Sequence, residues 1–283
     1  MARWPLDPNK VWVAFKEIAA ASTAQTTIVL AGDATLAAEA REALSGPGSW
    51  VRDHEGGPMS AAGIGLGASD VLVVLTHPAE EDAWLGALRG VSLPTGVVVA
   101  VDEGPAATLR VTWYEKQRAR ASFAPSPQGW RAVWKAVVDV GGDHAVPLGR
   151  HFPVLRSLAA RKVISKTARQ NGLVGAAFII PGTDMPVMTL NQIKMVLSVA
   201  AIYGEEITTE RAFELLGVVG TGFGMRAAAR QVLDFVPGPG WILKGAIGYT
   251  GTKALGEAAL RYFEVGAPAT PGRLSGLARR LRA

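Results

Sequence analysis

Hydrophobic and polar positions follow two different regimes along this chain of 283 residues. In the first half, short continuous apolar runs rich in β-branched residues stand at 26–32, 70–76 and 96–102, the pattern of strands covered on both faces. Helix-forming stretches lie between and after them, at 34–44, 80–89 and 130–140. In the last of these Trp130, Val133, Trp134 and Val137 recur on one face. Residues 1–22 read as a short amphipathic helix with Val11, Phe15 and Ile18 near one face. The Gly/Pro/Ser-rich stretch 45–69 reads as loops, and the mixed stretch 111–123 as a region ending in a strand. Alternating strands and helices of these lengths predict an α/β domain with a small parallel sheet over residues 24–145, preceded by the helix at 1–23.

The pattern changes at Gly141-Gly142-Asp143. Downstream there are no strand-like runs, small residues multiply, and an all-α helical domain is expected over residues 146–266, followed by a basic tail at 267–283. Its centre is the stretch 171–204. An apolar segment ends at Pro181-Gly182, an elbow carries Asp184 and Pro186, and a second helix follows. Thr189 and Gln192 have capping-box spacing, with Asn191 between them, so that helix is expected to start at Thr189. Leu190, Ile193, Leu197 and Ala201 then recur at helical spacing, Lys194 snorkels from the apolar face, and Gly204 ends the helix. Thr208 can cap the next helix. Asp184 reads as a hydrogen-bonding hinge of the elbow rather than an acid/base group. Gly248, Thr252 and Gly256 form a row at four-residue spacing, which lets helix backbones approach closely.

Composition narrows the chemistry. With no Cys, disulfides and thiol catalysis are excluded, and a reducing compartment fits. The four His stand far apart, none in an HxxxH spacing, so no helical zinc site is indicated. The first residues are interrupted by Pro5 and Pro8 before any apolar run forms, unlike a signal peptide. The net charge of +5 is uneven. Arg150, Arg156, Arg161, Lys162, Lys166 and Arg169 lie in a window without a single acid, which suits an anionic membrane surface. Aromatic residues are not interleaved with these cations as single-strand binding requires, so nucleic acid is disfavoured.

The strand–Gly32–helix unit sits where a P-loop would be. A P-loop needs two glycines whose backbone wraps the phosphates, a Lys to neutralise them and a Ser/Thr for Mg²⁺. The text here is Gly32-Asp33-Ala34-Thr35-Leu36-Ala37-Ala38-Glu39, with no second Gly, no Lys, and two acids that repel phosphate. The strand at 96–102 runs into Asp102-Glu103, where a guanine-reading Asn-Lys-x-Asp would stand. The glycines at 63, 65 and 67 lack GxGxxG spacing and read as a flexible connector. No cofactor is expected.

The C-terminal half carries a longer pattern: residues 167–172, Pro181-Gly182-Thr183-Asp184-Met185-Pro186, residues 190–195, 201–204 and 248–252, then Gly256 and Tyr262-Phe263. In these it resembles a bacterial domain family of unknown function that is often found with, or fused to, GTPase domains and includes the YcjF-like inner-membrane proteins. The resemblance implies an α-helical domain of unknown activity, linked to GTPases and often to membranes. It also implies that a relative's P-loop would lie where Gly32 is, which makes the N-terminal half similar in layout to a degenerate GTPase-like domain.

The expected function is a non-catalytic accessory or scaffold protein, associated with the cytoplasmic face of the inner or plasma membrane, with a GTPase or another membrane protein as partner. A homo-oligomer is compatible with this. A divergent GTPase-like enzyme and a soluble helical interaction module stay open as alternatives. The apolar runs are short or interrupted by charge, which favours peripheral or hairpin association over a conventional spanning helix, although a run including Asp184 could still insert if that acid faced a partner helix or became protonated.

Overall fold

A computed structural model of the chain describes residues 8–46, 50–89, 96–115, 117–177, 185–207 and 240–265. Trp12–Val163 forms one compact unit, and Ile164 onward, with the start of the first helix, belongs to another.

In the first unit the apolar runs become the centre of a six-stranded sheet. Its strands are β1 (Ile28–Gly32), β2 (Val51–His54), β3 (Val71–Thr76), β4 (Gly96–Asp102), β5 (Arg110–Glu115) and β6 (Arg118–Phe123), in the order β2-β1-β3-β4-β6-β5. All neighbours are parallel except the hairpin β5–β6. Register sets Ile28 beside Val71, Val71 beside Gly96 and Val97 beside Arg118. Every residue of β3 is buried, as are the first six of β4, because helices cover a parallel sheet on both faces. The helices of this unit are α1 (Pro8–Thr23) from Trp12 onward, α2 (Ala34–Leu44), α3 (Pro78–Arg89), α4 (Pro127–Val140) and α5 (Ala145–His151).

Two departures from the sequence pattern have physical causes. Val51–His54, expected to be loop, is an edge strand; only Val51 is apolar, and one neighbour on one side demands little burial. The glycine stretch 63–67 is no mere connector: a short 3-10 helix at Pro58–Gly63 puts Ala61 and Ile64 into the core beside Trp84 of α3. On the other side, Phe123 and Trp130 lie 4.9 Å apart and Trp130 stacks on Trp134 at 5.3 Å, joining α4 to β6. Ser126 caps α4, its Oγ accepting from the Gly129 N–H at 3.1 Å, with Pro127 in the first turn where its missing N–H costs nothing.

Downstream, the described residues are mainly helical: α6 (Arg156–Ala177), α7 (Met185–Ile202) and α8 (Gly240–Glu264). The end of α7 follows the sequence reading. Gly204 has φ of 90°, its N–H bonds the Ala201 carbonyl, and the Glu205 N–H bonds that of Ala200, a Schellman ending. The start does not. α7 begins at Met185, so Thr189 lies inside it and caps nothing. Pro186 sits in the first turn, where proline is tolerated, and the helix therefore starts a turn earlier than the capping-box text indicates.

Candidate functional site

Side chains expected to cap α7 instead build a polar cluster within the second unit. Asn171 of α6 is fully buried. Its Nδ2 donates both hydrogens, to the Met188 carbonyl at 3.2 Å and to Thr252 Oγ1 at 2.9 Å, and its Oδ1 accepts from Asn191 Nδ2 at 2.8 Å. Gln192 Nε2 donates to the same Thr252 Oγ1 at 2.9 Å. Thr252 is also fully buried, and Gln192 nearly so. One residue of α6, two of α7 and one of α8 thus satisfy one another where no water is needed, which is the condition for burying amides at low cost.

Such bonds require close helices. A Cβ built on Gly248 would lie 2.6 Å from the Asn171 carbonyl oxygen and 2.9 Å from Met188 Cε, and one on Gly256 would lie 2.6 Å from the Ile164 side chain. Gly248, Thr252 and Gly256 are therefore the face of α8 turned to α6 and α7. Lys194 is half-buried on α7. Pro181 and Asp184 lie outside the described residues, as do Thr208 and the expected tail.

The basic window divides. Arg150 ends α5, where a cation suits the helix dipole. Lys162 turns inward: its Nζ donates to the Val138 carbonyl at 2.6 Å and the Asp139 carbonyl at 3.0 Å, closing the C-terminus of α4. Arg156 is half-buried, and its Nε has no hydrogen-bond partner among the described residues. Only Arg161, Lys166 and Arg169 are exposed.

A second gathering of polar groups lies at the carboxyl edge of the sheet, which the sequence did not single out as a site. The strand order reverses between β1 and β3, the switch point at which doubly wound sheets commonly bind ligands. Gly32, with φ of 101°, ends β1 so close to β3 that a Cβ would lie 2.0 Å from the Leu75 carbonyl oxygen. One residue later α2 begins, and that residue, Asp33, accepts from the Leu36 N–H at 2.9 Å. His77 stands between Asp33 at 3.6 Å and Asp102 at 3.9 Å. Beyond them Arg120 pairs with Glu81 and with Glu103, the latter at 2.8 Å, while Ser122 Oγ donates to Glu103 at 3.0 Å. The Arg120 hydrogen bond is the main cause holding the Glu103 carboxyl below the usual range; bonding to Glu81 raises the guanidinium pKa.

At the end of β2, His54 Nε2 lies 2.9 Å from Ser60 Oγ, but that hydroxyl donates to the Gly57 carbonyl at 2.8 Å. His54 is then the donor of the pair and activates no nucleophile. Among the described residues no group of three His, Asp or Glu side chains could hold a metal ion.

The class defined here is a doubly wound α/β unit followed by a helical domain with a shared polar cluster at its helix crossings. Residues 154–282 match the family described as Domain of unknown function (DUF697), which is thus what the C-terminal half is similar to. No curated protein and no solved structure matches the chain. No described helix is long and apolar enough to cross a membrane.

Proposed function

We propose that the protein is a non-catalytic accessory or scaffold whose α/β half is a degenerate GTPase-like domain and whose helical half faces a membrane surface and a membrane-bound partner, a GTPase among them. The observation that carries the first part is Asp33. A phosphate bound at a helix N-terminus needs free backbone N–H groups and a loop to wrap it. Here a single residue separates β1 from α2, and its carboxylate already bonds the Leu36 N–H. A second anion at that point meets a negative charge and an occupied donor. Calorimetry with GTP, GDP and ATP in the presence of Mg²⁺ tests this; no heat at millimolar nucleotide is expected, and micromolar binding would sink the proposal in favour of a divergent nucleotide enzyme.

The membrane side of the reading is supported by the exposed cations of α6, and by the lack of any acid between residues 144 and 183. A soluble interaction module is the competing reading, favoured by the lack of a spanning helix among the described residues. Co-purification from membranes with an intact GTPase supports the first; recovery only from the soluble fraction at low salt supports the second.

A further inference from the structure

Within the helical unit the exposed side of α6 is a stripe. Lys166, Arg169, Gln170, Leu173 and Ala177 are all exposed, at the spacing of one helix face. At 100° per residue, Lys166, Arg169 and Leu173 fall within roughly 60° of arc. Leu173 is 72% exposed beside two cations, whereas Ile164 and Ala168 of the same helix are buried. Across the connection 178–184, the first turn of α7 exposes Val187 at 41%. Asp184 is the sole acid between residues 144 and 204, so the sequence of α6 and α7 contains no carboxylate.

From this geometry we infer that the α6 stripe is the membrane-docking surface, and that its ligand is an anionic phospholipid headgroup layer. The inference deepens the membrane side of the function proposed above and rests on it. The chemistry is divided along the stripe. Lys166 Nζ and the Arg169 guanidinium donate to lipid phosphate oxygens, the guanidinium with its planar fork. Leu173, one turn further, enters the boundary between headgroups and acyl chains, as an interfacial helix does with its apolar residues. A protein partner with an acidic groove could satisfy the cations, but an anionic bilayer answers both the charge and the exposed leucine beside it. The surface potential of an anionic leaflet contributes about 1 kcal/mol, or about fivefold in affinity, per cation near it.

The test is co-sedimentation of the full chain with phosphatidylcholine vesicles, with and without phosphatidylglycerol, at low and high salt. Wild type should bind the anionic vesicles, less at high salt, and the neutral ones hardly at all. Lys166→Gln/Arg169→Gln should weaken binding about twentyfold to thirtyfold. Leu173→Ser should weaken it severalfold with little change in salt dependence. All these positions are exposed, and unchanged thermal unfolding of each variant shows that lost binding is not lost folding. If wild type binds anionic vesicles and both variants bind equally well, the surface is wrong while the membrane reading stands. If wild type binds neither vesicle, both fall. Retention on duplex DNA without vesicle binding would assign the cations to nucleic acid and overturn the inference.

Discussion

The two units solve the problem of a core in opposite ways. The sheet of the first unit buries continuous apolar strands: Ile28 to Leu30 and the whole of β3 have essentially no polar side chain except Thr76 at the end. The helices of the second cross at glycines and bury two amides and a hydroxyl among them. A dry core is insensitive to the identity of any one hydrogen bond. A shared polar cluster is not, because each member leaves a buried partner unsatisfied when it is removed. Asn171, Gln192 and Thr252 thus fix which helix positions meet, whereas the valines of the sheet fix how much surface is hidden.

Substitutions in each unit put that contrast to the test. Trp84→Ala removes a fully buried tryptophan of the α/β unit and should cost about 3–5 kcal/mol in denaturant unfolding, a cavity effect. Asn171→Leu keeps similar volume yet should cost about 2–3 kcal/mol, because Met188 and Asn191 lose their partner; a neutral result would mean the cluster is dispensable. On α8 the sign should depend on position. Gly248→Ala puts a methyl against the Asn171 backbone and should destabilise by about 1–2 kcal/mol, whereas Gly251→Ala meets open space and should stabilise by up to about 1 kcal/mol through helix propensity. Thermal melts of the pair read both signs. Asp33→Ala should cost about 1 kcal/mol through the lost cap of α2 and should create no nucleotide binding by calorimetry.

The smallest effect is a pH dependence. Arg120 depresses the Glu103 carboxyl, so that pair's contribution is complete above the ordinary glutamate pKa of about 4.3 and is lost as pH falls through the lower folded value. Stability measured from pH 6 to pH 3 should fall less steeply in Arg120→Gln than in wild type.

Much of the first unit was legible because its central strands carry their own signal. The runs at β1, β3 and β4 are apolar on both faces, and α2 and α4 have clear periodicity. What stayed hidden was β2, whose Val-Arg-Asp-His text has no reason to look like a strand outside its pairing with β1. The polar cluster was half legible. The row of small residues on α8 pointed to close packing, but Thr189 and Gln192 imitate a capping box so well that local spacing outweighed a tertiary role. The bonds that decide the matter join residues 60 and 81 positions apart, beyond any local pattern. Lys162 shows the same limit: by sequence it belongs with a basic surface, and by contact it closes a helix 23 residues upstream.

Thr252 has a mechanical corollary. A row of small residues four apart is a smooth track: helices that cross on Gly248, Thr252 and Gly256 could slip by one step, about 6 Å, and still find a small residue beneath them. Gly248 and Gly256 offer no hydroxyl, and Thr252 Oγ1 receives both Asn171 and Gln192. One oxygen therefore acts as a detent on an otherwise sliding contact. Thr252→Val would leave the track intact and take away the stop, turning one seated arrangement of α8 into several neighbouring ones.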